Sequence, residues 1–353
     1  MNFENYSVSE LAYELVPYIG KKAEEKCRKD LLRADRFVNS SAVSQRDFAE
    51  VEDIFFKVFE TFDFAELSPL QPLGLNCFLA GTDGKKAIPT IRGQEVNSDA
   101  TTALFLEAFK RFSNQPIDLA TNVRTVRPKI FSAESKFLTH FKVFAAVTIG
   151  IQGRPFGLNE VLAIRDHLLG ELEALYALGN LAEYDIRRID VGISNTIFMD
   201  ELLRLFAPSP SKTGHKKNDF EQVLKNLGDD FLNKYGRLDI DENLLEILKD
   251  LGIKKGLKIL EIFIDVSNSF FNTWAKEHHV HFHFDLSRSA GIDYYRHICY
   301  SIVGTNYRGE KISLGDGGST DWATKLSNNK QLFTVASGIG TEIIIRNFKK
   351  PAS

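Results

Sequence analysis

Ser287-Arg288-Ser289-Ala290-Gly291-Ile292-Asp293-Tyr294-Tyr295, followed one strand later by Gly315-Asp316-Gly317-Gly318-Ser319-Thr320-Asp321, decides how the rest of this chain is read. The first stretch sets Arg288, a glycine and two adjacent tyrosines beside predicted strands. One tyrosine is expected in the core and the other at a cleft, since a phenol joins an apolar body to a polar tip. The glycines of the second stretch let backbone come close to a ligand, with Gly317 and Gly318 as contacts. A plain hairpin or a bulge without ligand uses the same residues.

Outward from these motifs, residues 280–285, 298–304, 311–314 and 331–335 read as strands. Residues 340–348 read as a final helix, although the isoleucine run there suits a strand too. The short turns between the late strands leave no room for crossovers, so the sheet is predicted to be antiparallel. Upstream, apolar residues at helical spacing predict helices over 47–62, 101–112, 158–178 and 198–206. Residues 122–126, 141–150 and 186–193 read as strands, and 65–70 as a short strand meeting Pro69. The expected fold class is α+β, an antiparallel sheet flanked by helices. Four regions follow: a helical N-terminal extension over 1–45, a core over 46–207, a helical insertion over 208–275 entered through the linker at 207–219, and the rest of the core over 276–353.

With 353 residues, 43% of them hydrophobic, the chain can bury a large core. A net charge of −3 gives no global pull toward nucleic acid, which speaks against tRNA as a partner. Cys27, Cys77 and Cys299 form no C-x-x-C pair, so a reducing, cytoplasmic setting is expected. The polar, acidic start carries no signal pattern, and no run approaches a membrane span.

The two opening motifs resemble A-R-G-L-D-Y-Y-T-G and G-G-G-R-Y-D of histidyl-tRNA-synthetase-type class II catalytic domains. Other segments fall in the family's order. Residues 96–101 sit where it has L-R-P-E/D-x-T, and 123–128 where motif 2 reads F-R-x-E-R-P. Residues 337–343 sit where motif 3 reads G-x-x-x-G-x-E-R. The resemblance implies that Asp99 binds the amino group of an amino acid and that Tyr294 and Tyr295 line its pocket. It implies that Arg124 grips the α-phosphate of ATP and the substrate carboxylate, a task suited to a guanidinium, and that Glu342 is the motif 3 glutamate. ATP with Mg would be the cofactor of an active enzyme, with Arg124 and Arg127 catalytic.

Departures from the pattern are as informative. The arginine beside D-Y-Y falls on Ala290, the motif 2 glutamate on Val126, the pocket glutamine and glutamate on Val143 and Val147, and the motif 3 arginine on Ile343. Preorganised cations supply most of the stabilisation in adenylate formation, and losing one such contact typically costs about 10²–10³ in rate. Valines also cannot satisfy an imidazole, so a smaller apolar ligand, or none, is expected. The sequence ends soon after motif 3, so the anticodon-binding domain is expected to be missing. The regulatory subunit of ATP phosphoribosyltransferase, in histidine biosynthesis, shares that feature. The leading expectation is therefore a catalytically reduced, homodimeric regulatory or ligand-binding subunit that pairs with an enzyme such as ATP phosphoribosyltransferase. Two alternatives stand beside it. One is an ATP-dependent adenylating enzyme with a rearranged set of Arg124, Arg127, Arg288 and Arg346. The other is a metal-dependent hydrolase on His279, His281 and His283, which alternate along one predicted strand with Asp285 in step.

Overall fold

Long, nearly unbroken apolar runs such as 143–151 cannot have a solvent face, and the sheet they build is covered on both sides. The structure, a computed structural model, describes residues 6–32, 37–84, 87–127, 139–207 and 216–351. Its strands are β1 (Asp63–Phe64), β2 (Leu70–Pro72), β3 (Gln94–Val96), β4 (Ile117–Val126), β5 (His140–Ile151), β6 (Ile186–Asn195), β7 (Arg237–Leu238), β8 (Val280–Asp285), β9 (Arg296–Asn306), β10 (Lys311–Thr320) and β11 (Leu332–Ile339). Among the described residues, nine of them form one sheet in the order β1-β4-β5-β11-β10-β9-β6-β8-β7, while β2 and β3 pair separately. Pairing is antiparallel except for β1 with β4 and β6 with β8. The α+β class and the mainly antiparallel sheet expected from sequence are both present.

The far face of the sheet is covered by helices Gln45–Val58, Leu158–Gly179 and Thr341–Phe348. Period-3.6 spacing points Phe48, Val51 and Phe55 inward, and Phe55 and Phe59 each place their ring 4.6 Å from Phe144 of β5. Each fully buried phenylalanine of this kind contributes about 1.5–3 kcal/mol. The opposite face, called the cleft face below, carries helix Ala100–Arg111 and a smaller core built from Leu104, Phe105, Val147, Trp322 and Ala336.

Between β6 and β8 the chain forms helices Thr196–Phe206, Lys216–Tyr235, Leu244–Asp250 and Leu257–Ser269. Phe220, Leu244, Leu248 and Phe263 from this region join the same apolar cluster as the sheet and its far-face helices. The N-terminal helix Val8–Glu24 starts with a capping box of Ser7 and Glu10 and buries none of its residues.

Three local expectations are corrected. Residues 65–69 are not a strand; extended structure lies on either side, in β1 and β2. Ser68 and Pro69 sit in this connection, where proline has no ladder bond to lose. The strand predicted over 311–314 runs on to Thr320, so the glycine cluster is strand, with register shifts against β9 at Ser313/Gly315 and Gly318/Ser319. His279 lies outside β8, with φ of 56°, so the period-2 alignment of three histidines does not form. Pro128 and most of the 207–219 linker lie outside the described residues.

Candidate functional site

Strand alternation sorts the candidate residues by face. Arg124 and Arg127 are three apart, an odd spacing, so they leave β4 on opposite sides. Thr125 and Arg127 open on the cleft face; Arg124 points to the far face. There Arg124 donates to Glu342 Oε2 at 2.9 Å and lies 3.0 Å from His140 Nδ1. Glu342, 1% exposed, also accepts from the Lys142 amide at 3.0 Å and from the Ser41 hydroxyl. The His140 ring reaches the carbonyl of Asn39 at 2.8 Å. Arg124, expected at a phosphate site, and Glu342, the expected motif 3 glutamate, are thus engaged in tying the segment around Asn39–Ser41 to the sheet.

The cleft has a volume of about 310 Å³ and lies over β4, β5, β10 and β11. Asp99, Thr125, Arg127, Tyr294, Tyr295 and Asp316 supply its polar groups. Asp99 is the N-cap of helix Ala100–Arg111. One oxygen accepts from the Thr101 amide at 3.1 Å and from the Thr101 hydroxyl; the other accepts from Tyr294 Oη at 3.1 Å. Both tyrosines face the cleft, which corrects the expectation that one would serve the core alone. The reason is the turn before them. Gly291 has φ of 80°, and a Cβ there would meet Tyr295 Cδ2 at 2.6 Å, so only glycine lets the Tyr295 ring fold back over the turn. Burial, then the neighbouring Asp99 carboxylate, pushes the Tyr294 phenol well above its usual range. Burial, then Asp316, does the same to Tyr295. Both stay neutral donors.

Asp316 and Thr125 are the functional candidates that sequence reading passed over. Asp316 is held at both oxygens: Tyr295 Oη donates to Oδ1 at 3.1 Å, and Arg288 Nη2 donates to Oδ2 at 3.1 Å. Arg288 lies behind it with 5% of its side chain exposed, while 49% of the Asp316 side chain is exposed. A signal existed, because Asp316 stands where the G-G-G-R-Y-D pattern has its first glycine. Thr125 is 1% exposed, and its hydroxyl has no hydrogen-bond partner among the described residues.

A second lobe of about 220 Å³ shares Arg127, Phe141, Val143, Asp316 and Gly338 with the first and extends to Ser313, Gly315, Gly340 and Ile343. Gly317 and Gly318 do not line either lobe. Gly317 instead makes room on the far face, where a Cβ would come within 2.4 Å of Tyr300 Oη. Arg346 is exposed on helix Thr341–Phe348 and lines neither lobe, so the four arginines of the rearranged set do not converge. Of the two valines expected in the pocket, Val143 lines the cleft while Val147 is in the core, and Asp99 and Asp316 add carboxylates to the lining. Among the described residues, no group of three or more His, Cys, Asp or Glu side chains is placed to hold a metal ion. His281 is exposed, 3.5 Å from Asp190, while His283 is buried and burial pulls its pKa down.

Behind the cleft floor lies an uncharged polar layer. Tyr300 Oη donates to Glu171 Oε2 at 2.9 Å; His167 contacts Thr148 Oγ1 at 2.9 Å and Ser337 Oγ at 3.0 Å. Burial pushes Glu171 up to about 8 and His167 down to about 3.

With this geometry in view, comparison with solved structures is decisive for the fold. The chain superposes on an ATP phosphoribosyltransferase regulatory subunit/histidyl-tRNA synthetase from Bacillus halodurans C with a TM-score of 0.64 and 15% identity, covering 89% of this chain and 83% of that one. The chain has the histidyl-tRNA synthetase fold. Histidyl-tRNA synthetase from Nostoc sp. PCC 7120 matches with a TM-score of 0.63 and 16% identity over 91% of this chain and 77% of that one. A histidine–tRNA ligase subunit from Alicyclobacillus acidocaldarius subsp. acidocaldarius DSM 446 matches with a TM-score of 0.60 and 12% identity over 89% and 96%. At such identities the likeness is one of fold. No protein-family model matches the sequence, and no curated protein matches it significantly. Among the described residues, no helix is long and apolar enough to cross a membrane.

Proposed function

We propose that this chain is a catalytically reduced protein of histidyl-tRNA synthetase type that binds a small amino-bearing ligand in the cleft and acts as a regulatory subunit. One observation carries the reading. Among the described residues lining the two lobes, Arg127 is the one cation, set against the carboxylates of Asp99 and Asp316. A triphosphate needs several preorganised cations around its developing charge, and Ile343 occupies the second lobe where the synthetase pattern has arginine. Asp99, by contrast, is held by Tyr294 and Thr101 in a geometry suited to an ammonium group. The name of the Bacillus halodurans neighbour supports a regulatory role beside an ATP phosphoribosyltransferase; the proposed form of the chain is a homodimer.

Pyrophosphate exchange measured with each of the amino acids tests the catalytic half. Background signal throughout is expected, and robust ATP-dependent exchange with any one of them rejects the reading in favour of an adenylating enzyme. Co-elution with a short-form ATP phosphoribosyltransferase catalytic subunit tests the regulatory half, and light scattering of the free chain tests the dimer.

A further inference from the structure

Among the described residues, three charged side chains reach the cleft. Asp99 has no cationic partner among the described residues and is held only by neutral hydroxyls and its own helix's amide. Arg127 lies over the Phe141 ring at 4.9 Å and has no ion-pair partner among the described residues. Asp316 keeps about half its side chain open although both its oxygens are held from behind and from the side. A neutral amino acid would use the first two, its ammonium group on Asp99 and its carboxylate on Arg127. It would leave the open half of Asp316, beyond its contacts with Arg288 and Tyr295, facing an apolar side chain, and carboxylate oxygens pressed against apolar surface are costly.

Resting on the reading of this cleft as a ligand site, we infer that its ligand is a basic α-amino acid, of the lysine or ornithine kind, and that Asp316 is the residue that selects it. The complement of an open carboxylate, guanidinium and second carboxylate is a molecule bearing a cation, an anion and a second cation. The walls between them, Phe141, Val143 and the two tyrosine rings, suit the methylenes that join those charges. Arg288 and Tyr295 fix Asp316 before the ligand arrives, so little ordering is needed on binding. Glycine, which the G-G-G-R-Y-D pattern has at this position, would offer no charge to a second ammonium.

The test uses the full chain and titration calorimetry with lysine, ornithine, norleucine, norvaline, histidine and cadaverine. Lysine and norleucine differ in one terminal ammonium, so the unaltered protein already decides the matter. Lysine or ornithine is expected to bind roughly 10- to 100-fold more tightly than norleucine or norvaline, the range for one charge-assisted hydrogen bond. Cadaverine, lacking the carboxylate for Arg127, is expected to bind more weakly than lysine. Asp316→Asn keeps the shape and the contact with Arg288, and should remove the preference for lysine over norleucine. Norleucine or histidine binding as tightly as lysine, cadaverine binding more tightly than lysine, or an unchanged preference in folded Asp316→Asn would each overturn the assignment. Binding of norleucine but not lysine overturns it while leaving the ligand-site reading intact. Silence from all six removes both.

Discussion

Two arginines three residues apart, Arg124 on β4 and Arg127 just past its end, meet opposite fates. On the far face, Arg124 is closed into a network with Glu342, His140 and the segment at Asn39–Ser41. On the cleft face, Arg127 has a ring beneath it and no carboxylate within ion-pair distance among the described residues. The chemistry of the side chain is the same; what differs is whether its partners come with the fold or must arrive from outside. A charge closed in by the fold serves structure, and one left open in a cleft, as Arg127 is wholly and Asp316 in part, points to a ligand.

The contrast predicts where substitutions register. Glu342→Ala should have the largest effect, about 2–4 kcal/mol of stability by urea denaturation, because it strands the Arg124 guanidinium and the Lys142 amide. A loss below about 0.5 kcal/mol would mean that the far-face network is not closed.

The polar layer behind the floor gives the next effect, through pH. Glu171 is neutral in the folded chain up to about 8 but ionises near 4.5 once unfolded. Its contribution is therefore complete below pH 4.5 and is lost as pH rises to about 8, on the order of 5 kcal/mol. Glu171→Gln should flatten stability against pH across that window. His167 runs the other way. Its folded pKa of about 3 lies below the unfolded 6.5, so its contribution is present above 6.5 and is lost as pH falls toward 3. A wild-type slope unchanged in Glu171→Gln would show that the carboxyl is not held neutral.

Between the two faces sits Gly317. Gly317→Ala drives a methyl against Tyr300 Oη and Ser337 Cβ, at 2.4 and 2.6 Å before relaxation, and should cost about 1–3 kcal/mol. A neutral result in the urea midpoint would mean that the floor yields easily.

The smallest stability effect, within about 0.5 kcal/mol, belongs to Arg127→Ala, which should nevertheless weaken amino-acid binding at least about tenfold. Arg124→Ala should do the reverse, lowering stability by about 1–2 kcal/mol while leaving ligand affinity within about twofold. If the two variants behaved alike, the division of labour between the faces would be lost.

Most of the element plan could be read from residue spacing, because amphipathic helices such as 101–112 and continuous apolar strands such as 141–150 have few other ways to bury their surface. The site was less legible. Aligning 123–128 with motif 2 put Arg124 at the phosphate, but an alignment of residue types does not fix which side of a pleat each faces, and a shift of one position exchanges the faces. The contact of Glu342 with Ser41 had no local signal, because the two lie 301 residues apart. Asp316 hid among glycines that read as a turn, although the structure extends β10 through them. Tyr294 and Tyr295 stood out as a paired aromatic, but that both face the cleft depends on the positive φ of Gly291, which the sequence reading did not single out.

One consequence of the topology remains. β6 and β8 are neighbours running the same way, so the chain must travel the full length of the sheet again before it can enter β8. That excursion can be reshaped or exchanged for another, but it cannot be cut to a tight reversal, since joining parallel neighbours takes about a dozen residues or more. β7, borne within the excursion, also caps the outer edge of β8. Trimming the segment carelessly would expose a raw strand margin and invite self-association before it disturbed the cleft.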